Sequence, residues 1–269
     1  SKNSNALDIN SLNTSIKNAI FNSKYIHDVN GKLTIRDGVA IVEQMGFTSD
    51  AAEMQLTGLY RSDRRNHLFC GLDFHLLKID IKELINLIPA VDTIVPMLKS
   101  FEGKAEFHIA AETYLNSLYE PKMSTLRAAA ALEGKDLVLL DSETFSTIAK
   151  YLMFSKKTKN IVDSLSVEMT VFRNEIDIYP FLISMDKWQA VLSGRHTLDN
   201  NFNYHISLTD CPLPVRLGLD VKGNFDDMKF KLVPCQYKAL YKPEKRKPTD
   251  ERILSLKKLI SDALKENVK

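Results

Sequence analysis

The sequence predicts a mainly β protein: an antiparallel, strongly twisted sheet from a duplicated strand module, with a few short helices and a C-terminal amphipathic helix. Three observations carry this. Apolar and polar residues alternate in many short runs, the pattern of strands with one buried and one solvated face. The chain matches itself when slid along its own length. Helical periodicity is confined to a few stretches.

Taken in order, residues 12–27 are ambiguous, with Leu12, Ile16 and Ile20 at a spacing that favours a helix. Leu33 and Ile35 then alternate with Thr34 and Arg36. Further alternating runs follow at Ala52–Tyr60, Leu68–Phe74, Ala105–Ile109, Leu126–Leu132 and Leu137–Leu140. The second half continues with Val167–Val171, Ile176–Ile178, Trp188–Gly194, Tyr204–Leu208, Val215–Val221 and Met228–Leu232. Ile81, Leu84, Ile85 and Ile88 sit at helical spacing, until Pro89 and Pro96 break the pattern. Residues 142–153 predict a helix with Phe145, Ile148, Ala149 and Leu152 on one face. The last helix has Thr249 as its expected N-cap, Asp250 and Glu251 in its first turn, and an apolar pattern through Ile253, Leu254, Leu256, Leu259 and Ile260.

A shift of 136 residues (194 − 58) gives a gapless match over about 40 residues. It sets Leu33 on Met169, Gly38 on Asn174, Val42 on Ile178, Leu56 on Leu192, Gly58 on Gly194, Asp63 on Asp199 and Leu72 on Leu208. Parity is kept throughout, and a one-residue slip would invert every side chain. The organisation that follows is an N-terminal segment 1–30, a first β module 31–160 with a helical insertion near 79–98, a second β module 161–240, and a basic linker with the C-terminal helix at 241–269. Consecutive strands favour one continuous sheet through both modules.

Composition is that of an ordinary globular chain: 269 residues, 44% hydrophobic, 26% charged, net charge +2. The near-neutral balance predicts no nucleic-acid partner. No stretch approaches the roughly 20 apolar residues of a membrane helix; if the parent protein is exported or anchored, its signal is expected outside this chain.

The chemistry-bearing residues form no catalytic pattern. There is no Gly-x-Ser-x-Gly elbow and no phosphate-cradling glycine loop. Ser255-x-x-Lys258 lies on the polar side of a helix without its companion motifs. His67 and His75 lack a metal-ligand spacing, and His205 falls on the polar side of its strand. Cys211 and Cys235 are read as separate thiols or as a bridge. The reading is non-enzymatic, with no metal and no cofactor.

Gly31-Lys-Leu-Thr-Ile-Arg-Asp-Gly38 with Asp50–Gly58, Leu132–Leu137, and Asp163–Pro180 with Asp186–Gly194 resemble the C-terminal region of the AsmA-like family of bacterial cell-envelope proteins. The likeness spans roughly residues 30–235. It implies a periplasm-facing protein, anchored in the inner membrane through a segment absent from this chain. It also implies a role in outer-membrane biogenesis and phospholipid handling through an apolar β-sheet groove, with phospholipid or envelope proteins as partners. No catalytic residues come with it.

A one-faced sheet must bury its apolar side against a sheet, helices or a ligand. The expected lining is Leu33, Ile35, Met54, Leu56, Leu68 and Leu72 from one module and Met169, Val171, Ala190, Leu192, Ile206 and Leu208 from the other. Whether these form an open trough or an ordinary core stays open at this level. The basic tail Lys242–Pro248 and the segment 79–98 each read either as lipid-contacting or as plain linker and packing. The alternative to lipid handling is a β-rich scaffold that binds a protein partner at a sheet edge.

Overall fold

The computed structural model describes residues 11–87, 101–139, 143–152, 161–185, 188–199, 201–211, 216–224, 226–237 and 248–266. It is one 13-stranded antiparallel meander in which every strand pairs with its neighbours in the chain. The strands are β1 (Leu12–Phe21), β2 (Lys24–Arg36), β3 (Val39–Thr48), β4 (Glu53–Arg64), β5 (His67–Asp80), β6 (Phe101–Leu115) and β7 (Arg127–Leu139). Then come β8 (Ile161–Phe172), β9 (Glu175–Met185), β10 (Trp188–Thr197), β11 (Phe202–Asp210), β12 (Gly218–Gly223) and β13 (Met228–Val233). Among the described residues three α-helices accompany them, α1 (Ile81–Leu87), α2 (Glu143–Tyr151) and α3 (Pro248–Glu266), with a 3-10 turn at Met123–Thr125.

The N-terminal expectation is corrected. Residues 12–27 form a strand and the start of a second, closed by a tight turn with Asn22 at φ 45° and Ser23 at φ 62°. Leu12, Ile16 and Ile20 are cross-strand partners of Leu33, Val29 and Tyr25. A spacing of four is even, so it places residues on one face of a strand as well as of a helix. Residues 12–30 therefore belong to the sheet. The expected boundary near 160 does not divide it either, because β7 and β8 pair from Arg127↔Phe172 to Val138↔Ile161. Residues 88–98 of the predicted insertion and the linker before Pro248 lie outside the described residues.

The duplication has a structural counterpart. The β2–β3 turn holds Asp37 at φ 49° and Gly38 at φ 78°; the β8–β9 turn, 136 residues on (173 − 37), holds Arg173 at φ 50° and Asn174 at φ 67°. Both are two-residue turns with consecutive left-handed residues, the twist-matched form for hairpins. Beyond them, β3–β4 pairs Val42↔Gly58 and then Met45↔Leu56, with a bulge between. β9–β10 pairs Ile178↔Gly194 and then Phe181↔Leu192, with the same bulge at the same offset. Gln44 takes this place in the first copy at φ 50°. Pro180 takes it in the second, where a missing N–H donor is tolerated.

The match ends at the next hairpin. Gly58 pairs with Leu72 but Gly194 pairs with Tyr204, so that hairpin spans 14 residues (72 − 58) in one copy and 10 (204 − 194) in the other. Leu72 therefore corresponds to Tyr204, not to Leu208, and Asp63 does not correspond to Asp199. The difference of four is even, so parity survives and the sequence alignment could not register it.

The C-terminal helix α3 lies on the polar side of the meander, across β5–β8. Leu256 and Ile260 are buried there with Ile41, Leu59 and Phe69, and Arg252 reaches Glu112 at 3.3 Å. Leu254, expected on the apolar stripe, is exposed, and the helix begins at Pro248, one residue ahead of the expected cap.

The two repeat glycines differ in what surrounds them. A Cβ on Gly194 would press into the Tyr204 ring and come within 2.6 Å of Asn203 O, whereas on Gly58 its nearest contact would be Gly71 O at 3.5 Å. Gly194→Ala is expected to lower unfolding free energy in urea by ~1–3 kcal/mol, and Gly58→Ala to stay within about 1 kcal/mol of the parent. Equal losses at both would show that the glycines share one role.

Candidate functional site

Directly opposed residues share a face, so the strand register assigns every strand's sides. One row runs Leu33–Val42–Gly58–Leu72–Ala111–Ala128–Val171–Ile176. The next runs Leu56–Phe74–Ile109–Ala130–Met169–Ile178–Gly194–Tyr204–Val221–Phe230. Past the β9 bulge, Phe181–Leu192–Ile206–Leu219–Leu232 and Ile183–Ala190–Leu208 continue the face. All the lining residues expected from the sequence therefore fall on a single apolar face from β2 to β11. That face continues through β12 and β13 and includes residues that reading left out: Phe74, Phe107, Ile109, Leu132, Ile178, Phe181, Leu219 and Phe230. Their alternation was visible; the reading confined the lining to the two repeats.

The face is covered unevenly. At one end α1 places Ile81 and Leu84 against Leu76, Val167 and Phe181, with Met54, Met169 and Leu192 packed around them. Asp80 sets this helix in place. Its Oδ1 accepts from Glu83 N at 3.2 Å, its own N–H donates to Ala51 O at 2.8 Å, and the hydrogen bond from Lys104 at 2.9 Å holds its carboxyl below the usual range. Further along, Ile148 of α2 and Leu152 just beyond it pack with Trp188, Ala190, Ile206 and Leu208. Leu33, Ile35, Leu56, Leu72 and Val171 belong to neither cluster. They are partly exposed, Ile35 to 40%, and share no core cluster with α1 or α2. Of the expected lining, Leu68, Ala190, Ile206 and Leu208 are core, whereas Leu33, Ile35, Leu56, Leu72 and Val171 stay partly exposed, with buried Ala128 interrupting the row before Val171.

The opposite face carries polar clusters. His108 Nε2 lies 2.5 Å from Asp73 Oδ1, and its ring stacks on His75 at 4.4 Å. Burial, then the neighbouring His108, pushes the His75 imidazole below its usual pKa. With Asn30, Gln44, Glu53, Gln55 and Thr57 they line a cleft of about 460 Å³. No group of three or more His, Cys, Asp or Glu among the described residues has metal-binding geometry, and Cys70, Cys211 and Cys235 are not joined in a disulfide.

A second cluster has the outline of a hydrolase triad. Asp220 Oδ1 lies 2.7 Å from His205 Nδ1, and His205 Nε2 lies 2.7 Å from Ser207 Oγ. Sequence reading noted His205 on the polar side but had no means of bringing Asp220 opposite it; the β11–β12 register does that. The chemistry runs the other way from catalysis. Ser207 is 0% exposed, and its Oγ accepts from Gln236 N at 2.9 Å and Tyr237 N at 3.3 Å. With two N–H donors on its Oγ and His205 Nε2 as a third partner, the hydroxyl is fully engaged and has no exposed surface for a substrate to approach. The network pins the strand-exit segment Pro234–Tyr237 back over β11, aided by Tyr237 Oη to Ser193 Oγ at 3.0 Å and Cys235 Sγ to Leu208 O at 3.4 Å.

No protein-family model, no curated protein and no solved structure matches this chain.

Two measurements follow from these clusters. Ser207→Ala removes the shared partner of two part-buried N–H donors and of the buried His205 ring and is expected to cost about 1–3 kcal/mol in denaturant unfolding, while a fluorophosphonate probe leaves the parent unlabelled. Labelling at Ser207 would make it a nucleophile and sink the locking role. Burial on the apolar face pushes the Tyr204 phenol up to about 12. The folded state thus holds this proton more tightly than the unfolded state. The resulting stability is complete below the ordinary phenol pKa of about 10 and is lost as pH rises towards the folded value. Phenolate absorbance should show a late-ionising tyrosine that disappears in Tyr204→Phe; an unchanged titration curve would refute the assignment.

Proposed function

We propose that this chain is a non-enzymatic, periplasm-facing part of an AsmA-like envelope protein that handles phospholipid along the apolar face of its sheet. The observation that carries the reading is the open stretch Leu33, Ile35, Leu56, Leu72 and Val171, continuous with the face that α1 and α2 cover. An acyl chain laid along it gains about 0.8 kcal/mol for each methylene removed from water. The face runs across strands, so a chain crossing strand to strand meets apolar side chains at every step. In this reading the parent protein is anchored in the inner membrane by a segment outside this chain, and its role lies in outer-membrane biogenesis.

A second reading, strand addition by a protein partner, rests on β1. This edge strand has ten residues, no proline, no register shift against β2 and a single charge, Lys17, and it exposes Leu12, Ile16 and Ile20. Edges built this way accept another strand, whereas β13 is short and carries Lys229 and Lys231.

Native mass spectrometry with lipid extraction, on protein purified from a bacterial host, tests the first reading. Bound phospholipid is expected. Leu56→Gln with Leu72→Gln, at open positions, should weaken retention by about tenfold, the equivalent of withdrawing two methylenes, with the circular dichroism spectrum kept. A folded protein that stays empty after incubation with phospholipid vesicles would turn the case towards the β1 edge.

A further inference from the structure

The turns of the sheet alternate between two ends, and the end holding β2–β3, β4–β5, β6–β7 and β8–β9 has an unusual surface. The β6–β7 loop is tightly held. Asn116 Oδ1 accepts from Leu118 N at 2.9 Å and Glu120 N at 3.0 Å, Lys122 N donates to Tyr114 O at 2.8 Å, and Ser117 N donates to Asn66 Oδ1 in the neighbouring turn at 2.9 Å. Lys122 Nζ donates to Asn66 O. An ordered loop of this kind nonetheless presents Leu118 at 73% exposure, Tyr119 at 67% and Met123 at 43%. Tyr119 is kept there at φ 62°.

Cations surround these side chains. Arg64 and Arg65 are exposed in the β4–β5 turn that the loop is bonded to, and Lys122 is in the loop itself. One strand pair along, exposed Phe172 lies between Arg127 and Arg173, whose guanidinium carbons are 5.3 Å and 5.0 Å from its ring centre. Two of the acids at this end are paired with cations, Asp37 with Arg36 at 3.4 Å and Glu175 with Arg195 at 3.4 Å; Glu120 accepts from the neutral Asn116 amide at 2.8 Å and keeps its charge, and Asp199 is exposed in the next turn along.

We propose that this end of the sheet docks on an anionic phospholipid bilayer, with Leu118, Tyr119, Met123 and Phe172 entering the interface and Arg64, Arg65, Lys122, Arg127 and Arg173 facing the head groups. Apolar and aromatic side chains ringed by basic ones, held on a rigid loop, match the chemistry of a membrane surface: acyl boundary below, phosphate above. A protein partner would have to supply the same layered contact. The geometry also joins this surface to the apolar face. Tyr119 lies 6.5 Å from Tyr60, ring centre to ring centre, and Tyr60 belongs to the row Ala40–Tyr60–Cys70 on the face that carries Leu72. The open stretch of that face therefore begins beside the docking loop, and a lipid leaving the bilayer would enter past Tyr119. This last step, though not the docking itself, rests on the lipid-handling reading.

Vesicle flotation of the whole chain tests the docking. The parent should float with vesicles of phosphatidylcholine and phosphatidylglycerol, float poorly with phosphatidylcholine alone, and be released as salt rises. Each of Arg64→Glu and Arg65→Glu should lower partitioning at least about fivefold. Leu118→Ser with Tyr119→Asn, which keeps a residue suited to positive φ at 119, should weaken binding in either vesicle. Lys24→Glu with Lys135→Glu, exposed at the other end, should leave binding unchanged. Failure of the parent to float with phosphatidylglycerol vesicles, or an equal loss from the Lys24 and Lys135 reversals, would overturn the proposal. Flotation by a chain whose lipid extract is empty would keep the docking and discard the lipid-handling reading; extracted lipid without flotation would do the reverse.

Discussion

Parity is the constraint on which this molecule depends. In a meander every strand pairs only with its chain neighbours, so no crossing strand corrects an error of register. A single odd slip anywhere would send the apolar side chains of all later strands to the wrong face. Here the same face is recovered twelve times in succession, through turns of different length and through several bulges. Where an extra residue is inserted, as between Val42 and Met45 or between Leu76 and Ile79, it restores the apolar residue to its side after the pattern has shifted from even to odd numbers. The bulges bend and twist the sheet, and they also keep its sides distinct.

The bulges are a large part of what the duplication preserved. Turn conformation and bulge position recur at the same offset, although Gln44 and Pro180 have little in common chemically. What is kept is the backbone event: two residues on one strand facing one on the other. The hairpin that follows was free to lose four residues because an even change leaves the sides intact. This explains why Leu72 and Leu208 align in sequence yet occupy different positions in space.

These same facts set how much could be read from the chain. Alternation identified most strands, their apolar side and the continuity of the sheet, and helical spacing located Ile81–Leu87, Glu143–Tyr151 and Pro248–Glu266. The first hairpin was missed because Leu12, Ile16 and Ile20 satisfy both periods. His205 and Ser207, two apart on one strand, were visibly on the same side, but their meeting with Asp220 depends on the length of the β11–β12 connection. Likewise, Arg65, Tyr119 and Arg173 are far apart in sequence. They share a surface because alternate turns of a meander return to the same end, and that pattern appears only once every strand has been counted, including the one misread.

The two faces divide the work in a way that favours an open apolar side. Stabilising contacts that do not involve the central apolar face are concentrated on the other side. There α3 lies across β5–β8, Ser207 pins the segment after β13, and Arg252 reaches Glu112. A sheet intended as half of a sandwich would put its covering layer on its most apolar face. Among the described residues, the long C-terminal helix covers the polar side, while the short helices α1 and α2 pack on parts of the apolar side. Leaving Leu33, Leu56, Leu72 and Val171 without a described covering element has a cost in hydration. A meander braced from behind can carry such a face without collapsing on it, which is the property a transient acyl-chain site requires.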